Sequence, residues 1–432
     1  MPFLTRFFQL REHGSNVRTE AIAGLTTFLT MAYIIFVNPS ILGDAGMPKD
    51  AVFVATCVAA AIGSLIMGLY ANYPIGMAPG MGLNAYFAYA VVLGMGVPWQ
   101  SALGAVFISG CLFFLVSIFK VREQIVNGIP HSLRVAITVG LGLFLALIAM
   151  KSAGLVVGSP ATLVTVGDLH NTHTIMAIFG FLLIVTLDRL RVPGALLIGI
   201  VAVTVLSFIF GGNTFKGFMS LPPSISPTLF HLDIGGALSI GLLNVVLVFF
   251  LVELFDATGT LMGVASRAGL LVNGKMERLN KALMADSGAI LAGSVLGTSS
   301  TTAYVESAAG VQAGGRTGLT AVVVALLFLA ALFFAPIAGV VPAYATAPAL
   351  LFVACLMLRD LIEVDWTDTT ESVPAAITAL VIPFTYSIAH GIAFGFITYA
   401  GLKLLTGQAR QVKPVVWVIA AVFLLKYGWT TG

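Results

Sequence analysis

The sequence predicts an all-α polytopic membrane protein of fourteen transmembrane segments, built as two seven-span repeats inserted with opposite orientation. Three observations carry this. The 432 residues are 59% hydrophobic and 9% charged, with a mean hydropathy of +1.03, too little polar material to cover a water-facing surface. Apolar runs long enough for about 30 Å of hydrocarbon, about 20 residues each, fall into two sets of seven around one polar connection. The lysines and arginines gather on one side of the resulting ladder.

Taken in order, residues 1–19 alternate basic and aromatic side chains (MPFLTRFFQLREHGS) without the apolar core and cleavage site of a secretory signal. They read as a cytoplasmic amphipathic lead-in. The first repeat, 20–211, holds runs at roughly 20–37, 51–71, 74–93, 99–119, 134–157, 173–187 and 193–211. A proline-containing polar loop, 212–235, separates it from the second repeat, 236–406. There the runs are at roughly 236–258, 279–296, 298–314, 318–341, 343–359, 373–388 and 390–406. The remaining segment, 407–432, carries an apolar piece at 415–425 that is short for a span and reads as an interfacial or partly inserted helix.

With the N-terminus inside, seventeen of the twenty-one basic residues, among them Lys120, Arg122, Arg278 and Arg316, fall on the cytoplasmic side. Lys49, Lys151 and Lys216 fall outside, and Lys426 is unassigned. That asymmetry is the positive-inside pattern. Seven spans in the first half make the second half enter from the opposite side, so any structural repeat is inverted. A charge of +3 concentrated beside membrane spans gives no footprint for nucleic acid.

Chemistry concentrates in a few places. Gly297–Gly315 (GTSSTTAYVESAAGVQAGG) sets a carboxylate, Glu306, in an apolar, glycine-rich run. A slide of 218 positions lays Gly76–Ala90 (GMAPGMGLNAYFAYA) over it, with Ala85 and Tyr86 on Ala303 and Tyr304 and Asn84 opposite Thr302. Two apolar segments interrupted by small residues, in corresponding places of two halves, point to a transporter's substrate site at the membrane midplane. Such backbone is tolerated there only where it is buried or lines a cavity; close helix packing through small residues is the plainer explanation. Glu253 and Asp256, in LVFFLVELFDATGTLMGV, stand three apart on one helix face. An ionisable group in hydrocarbon is expensive unless it serves a cavity or a partner, and packing specificity is the competing account.

Desolvation favours the neutral carboxylic acid, so a buried carboxyl can take and release a proton between states. It also accepts hydrogen bonds from ring N–H groups, and Asn84 offers donor and acceptor together. Asp286 is expected either within the ninth span or at its cytoplasmic end, and His390 in a turn. Cys57, Cys111 and Cys355 lie in apolar runs without pairing or ligand spacing. No GxxxxGK[ST] loop occurs, which disfavours an ATP-driven pump, and no metal-ligand spacing is present. An anion carrier would seat its substrate on helix N-termini and basic groups, where these carboxylates would repel it. A membrane-embedded enzyme would need a nucleophile, metal or cofactor constellation that the sequence lacks.

The stretches NVRTEAIAGLTTFLTMAYIIFVNPSIL, APGMGLNAYFAY, VELFDATGTLMGVA, GTSSTTAYVESAAGVQAGGRTGLTAV and TESVPAAITALVIPF resemble the nucleobase cation symporter-2 superfamily, specifically its AzgA-like purine permeases, over essentially the full length. The resemblance implies a core domain (spans 1–4 and 8–11) and a gate domain (spans 5–7 and 12–14), with short extended strands in broken spans 3 and 10. It implies substrate binding by Glu306, Asp256, Glu253 and Asn84, more loosely by Phe28, Tyr86, Tyr304 and Thr302, and proton coupling by Glu253, Asp256 or Glu306. Where the uracil and xanthine branches follow their eighth-span glutamate with a histidine, this chain has Asp256 nearby instead, so their proton roles do not transfer directly. The expectation is a proton-coupled importer of adenine, guanine or hypoxanthine working by alternating access in the inner membrane. It needs no cofactor beyond the proton, and its expected partners are lipid and a second copy joined through gate-domain helices.

Overall fold

The computed structural model describes residues 2–119, 128–215, 217–272 and 275–429; Lys120, Arg122 and Lys216 of the charge pattern lie outside the described residues. The first half runs α1 (Pro2–Phe7), α2 (Val17–Met31), α3 (Ile34–Asp44), α4 (Lys49–Ile66, continued by a wider turn to Ala71), β1 (Met77–Pro79), α5 (Met81–Ala85, continued to Gly94), α6 (Trp99–Ile118), α7 (His131–Ser152), β2 (Val156–Ser159), β3 (Leu163–Val166), α8 (Thr172–Arg189) and α9 (Ala195–Phe210). The second half runs α10 (Ile234–Ala237), α11 (Ile240–Arg267), β4 (Leu271–Val272), β5 (Lys275–Met276), α12 (Leu279–Leu296), β6 (Thr301–Ala303), α13 (Ser307–Gln312), α14 (Gly318–Ala331), α15 (Ala335–Ala338), α16 (Ala343–Leu358), α17 (Thr369–Thr385), α18 (Ile388–Leu405) and α19 (Pro414–Trp429).

The expected apolar segments coincide with helices or with a strand and its following helix, the fifth only in part. Among the described residues, nine helices are long and apolar enough to cross a membrane by length and composition, the first running from Val17 to Asp44. The expected fifth span, 134–157, stops earlier. Gly154 adopts a positive φ of 72° after α7, and the valines beyond it pair antiparallel as the hairpin β2–β3, Val156 opposite Val166. Apolar character alone does not separate a helix end from a β-branched strand.

The chain divides into two compact units, Met1–Ile118 with Ala149–Phe352, and Phe119–Ile148 with Val353–Gly432. The helices α8 and α9, which the resemblance assigns to the gate, belong to the first unit. Within that unit the wide turn ending α4 crosses the start of α14 at Gly68 and Gly318. A Cβ on Gly68 would come 2.5 Å from the Gly318 carbonyl oxygen, and one on Gly318 would strike Gly68 in return, so only two glycines permit the crossing. The N-terminal lead-in is docked rather than free: Phe8 and Leu10 are buried with Leu319, flanked by Val17 and Val322. Glu20, a carboxylate that its span-end position gave no reason to single out, is fully buried in α2. It accepts the Arg316 and Thr317 N–H groups at 3.0 and 3.2 Å and the Thr320 hydroxyl at 2.5 Å, capping the N-terminus of α14, where the helix dipole favours negative charge.

The second unit packs Val135, Ala136 and Val139 of α7 on Ala375 and Ala379 of α17. Lys403, 3% exposed, is compensated by Glu371 at 3.0 Å and Asp368 at 3.7 Å. Glu371 also accepts the Ser132 and Tyr399 hydroxyls at 2.6 and 3.1 Å, as a buried charge requires. The C-terminal apolar piece is the helix α19, with Val416, Ala420 and Phe423 forming a buried stripe.

Candidate functional site

The two broken segments meet as an antiparallel pair: Met77 lies opposite Ala303, Ala78 opposite Thr302 and Pro79 opposite Thr301. Local chemistry favours extension in both. Pro79 steers Ala78 away from helical backbone, and Gly297, at φ 93°, ends α12 ahead of a run of serine and threonine that prefers strand to helix interior. Two further backbone bonds extend the ladder, Gly80 N–H to Ser300 carbonyl at 2.8 Å and Tyr304 N–H to Gly76 carbonyl at 3.0 Å. Side chains supply the rest. Met77 N–H donates to Ser64 at 2.9 Å and Gly76 N–H to Ser307 at 3.0 Å. Ala303 N–H and the Thr302 hydroxyl donate to Asp286 Oδ1 at 3.1 and 3.0 Å, and the Tyr304 hydroxyl donates to the Pro79 carbonyl at 2.6 Å. Without water, each of these groups would otherwise remain unpaired at a cost of several kcal/mol.

The pairing corrects the expected correspondence of the repeats. Strand β1 starts at Met77 and β6 at Thr301, an offset of 224 rather than 218, so Glu306 corresponds to Gly82 and Asn84 to Ala308. The chemically active side chains therefore have no polar counterpart in the other half.

The expected site residues fall into two groups. Glu306 sits at the N-cap of α13; its Oε1 accepts the Tyr33 hydroxyl at 2.6 Å, and the Thr30 hydroxyl reaches its main-chain carbonyl at 3.4 Å. Asp256 is close enough for its charge to act on that of Glu306, and both act on Tyr304. Glu306 and Asp256 remain partly exposed, as does Phe28, whose ring meets Phe328 edge-on at 5.2 Å.

The second group is wholly enclosed. Glu253 accepts the Ser109 hydroxyl of α6 at 2.5 Å through Oε2, and the Ser300 hydroxyl stands beside the carboxyl as a second, less well-aligned donor. Asn84 accepts the Ser299 hydroxyl and leaves its Nδ2 without a partner among the described residues. Tyr86 packs edge-on against Phe249 at 5.0 Å, and Thr302 is spent on Asp286.

Two expectations thereby change. Three residues along a helix leave a 60° difference in direction, enough to send Glu253 toward α6 while Asp256 turns to Glu306, so they do not work from one face. Asn84, laid opposite Thr302 by the slide of 218 positions, instead meets Ser299. Asp286 is a fully buried side chain within α12 that pins β6. Tyr33, Ser109 and Glu20 were not distinguished by sequence reasoning. For Tyr33 the signal available was the single hydroxyl-bearing aromatic of the first span.

Paired strands at the break of two helical segments, with partly exposed carboxylates beside them, define a membrane carrier. The same fold occurs in the transmembrane domain of a cyanobacterial bicarbonate transporter, BicA, with a TM-score of 0.67 at 15% identity over 88% of this chain and 97% of that one. It recurs in the murine anion transporter Slc26a9, with a TM-score of 0.64 at 11% identity over 94% and 72% of the two chains. The profile of the Permease family matches residues 18–394, and the chain belongs to that family. Its relatives include the adenine permease AdeP of Escherichia coli K12, 50% identical over 98% of this chain and 95% of that protein. The guanine/hypoxanthine permease PbuO of Bacillus subtilis is 45% identical over 97% and 99%. The protein is thus a multi-pass membrane transporter of the nucleobase cation symporter-2 superfamily, not an enzyme.

Proposed function

We infer that this chain imports purine nucleobases, adenine, guanine or hypoxanthine, together with protons. The observation that carries the reading is the pair Asp256 and Glu306, two partly exposed carboxylates beside the crossed strands, in a chain whose relatives are named for those bases. Carboxylate oxygens accept ring and exocyclic N–H groups, and hydrogen bonds to charged groups are the stronger kind. Glu253 is assigned the proton. It is fully buried, has only serine hydroxyls, Ser109 and Ser300, as donors, and has no cation paired with it among the described residues; a permanent charge there would be poorly compensated. Movement of the core domain against the gate domain would expose the site alternately to the two sides, with the N-terminus cytoplasmic.

The fold likeness to anion transporters raises a second reading, transport of an inorganic anion. The carboxylates beside the strands oppose it by repulsion. Uptake of radiolabelled purine by cells lacking their own permeases tests the two together. Purine uptake lost in Glu306→Ala is the expected result, and uptake unchanged by that substitution would remove the site assignment.

A further inference from the structure

We propose that Tyr33 sets which purine the site prefers, by engaging one oxygen of the Glu306 carboxylate so that the base meets one free acceptor oxygen and one already shared. The inference rests on the purine reading above. Tyr33 lies in the short turn that joins α2 to α3 within the first span: α2 closes with the Ala32 N–H on the Phe28 carbonyl at 2.7 Å, and Tyr33 is the N-cap of α3. The side chain is 1% exposed and among the largest fully buried in the protein, so packing fixes where its hydroxyl points. That hydroxyl donates to Glu306 Oε1 at 2.6 Å, the length of a charge-assisted bond. The Thr30 hydroxyl donates to the Thr27 carbonyl at 2.8 Å and lies 3.4 Å from the Glu306 carbonyl, so it is Tyr33 that orients the carboxylate, leaving Oε2 without a side-chain donor among the described residues.

Purines differ in the edge they bring to such an acceptor. Guanine presents its N1–H and 2-amino group side by side, two parallel donors that match both oxygens of an unencumbered carboxylate. Hypoxanthine has the N1–H without the amino group, and adenine has an exocyclic amine beside an unprotonated ring nitrogen. A carboxylate whose Oε1 already accepts the Tyr33 hydroxyl offers the second guanine donor only that oxygen's remaining lone pair, with part of its charge already compensated, so that donor is held more weakly. The Tyr33 hydroxyl therefore penalises the two-donor edge relative to the one-donor edges, and its removal benefits guanine most.

The test is competition against labelled hypoxanthine uptake by unlabelled guanine, adenine and hypoxanthine, in cells carrying the unsubstituted chain or Tyr33→Phe. The readout is the ratio of half-inhibiting concentrations, guanine to hypoxanthine, which does not depend on how much protein reaches the membrane. The phenylalanine variant is expected to lower that ratio by roughly tenfold, the scale of one hydrogen bond to a charged group. Tyr33→Met, which also lacks the donor, supplies the ratio should the first variant fail to accumulate. An unchanged ratio, or equal weakening of all three competitors, overturns the inference and leaves Tyr33 a packing residue. Absence of purine uptake by the unsubstituted chain overturns the purine reading itself, so the two failures are distinguishable.

Discussion

Glu306 and Glu253 are both glutamates within apolar segments, yet their surroundings give them different work. Glu306 retains exposure and a tyrosine donor, which suits a group that must exchange partners with a ligand. Its replacement by alanine, and Asp256→Asn, should each weaken purine binding roughly tenfold or more, since hydrogen bonds to charged groups are worth about 1.5–3 kcal/mol; equilibrium binding to purified protein measures this. Glu253→Gln should behave otherwise. The amide oxygen can still accept the Ser109 hydroxyl but cannot cycle a proton, so purine binding and purine–purine exchange in proteoliposomes should persist. Accumulation driven by a pH gradient should disappear. Equal loss of exchange and accumulation would return Glu253 to the binding site.

At the scale of elements, the crossed strands depend on side chains outside the carboxylate pair. Asp286→Ala leaves the Ala303 N–H and the Thr302 hydroxyl without their acceptor, each costing about 1–3 kcal/mol when buried. A clear fall in the thermal midpoint in detergent is expected, with Asp286→Asn milder because its oxygen can still accept. At the α4–α14 crossing, Gly318→Leu should prevent accumulation of folded protein, since the obstacle is backbone rather than a movable side chain. In the second unit, Asp368 caps α17. The Thr370 hydroxyl and N–H hold its carboxyl below the usual carboxylate range. A group whose pKa is depressed by folding stabilises above its unfolded value and loses that contribution as pH falls through the folded one. Asp368→Asn should therefore flatten the decline of thermal stability below about pH 4.

For the molecule as a whole, the segment pattern, the polar connection and the broken spans were legible because they follow from composition and from charge placement, which act wherever the chain lies. Glu306 was legible for the same reason: a charge in an apolar run requires an account in any fold. Asp286 was not, because a residue some eight positions into an apolar helix cannot be placed in depth without knowing what it touches. The repeat offset differs because six positions of slide change little in a glycine- and alanine-rich segment, whereas the strands begin at fixed positions, Met77 and Thr301. Proton coupling belongs to this scale as well: a protonophore should abolish concentrative purine uptake while leaving exchange intact, and insensitivity to it would remove the proton from the mechanism.

The sequence by itself determined a many-spanning membrane carrier with two interrupted segments and three carboxylates out of place in hydrocarbon, since hydrophobic thickness and charge cost depend only on residue type and run length. Tertiary structure alone decided that those segments pair at Met77 and Ala303, that Asp256 comes within reach of the Glu306 charge while Glu253 turns to Ser109, and that Tyr33 holds the carboxylate. Those partners come from residues up to 273 positions apart in the chain, and such meetings are set by packing and hydrogen-bond satisfaction, which no local pattern encodes.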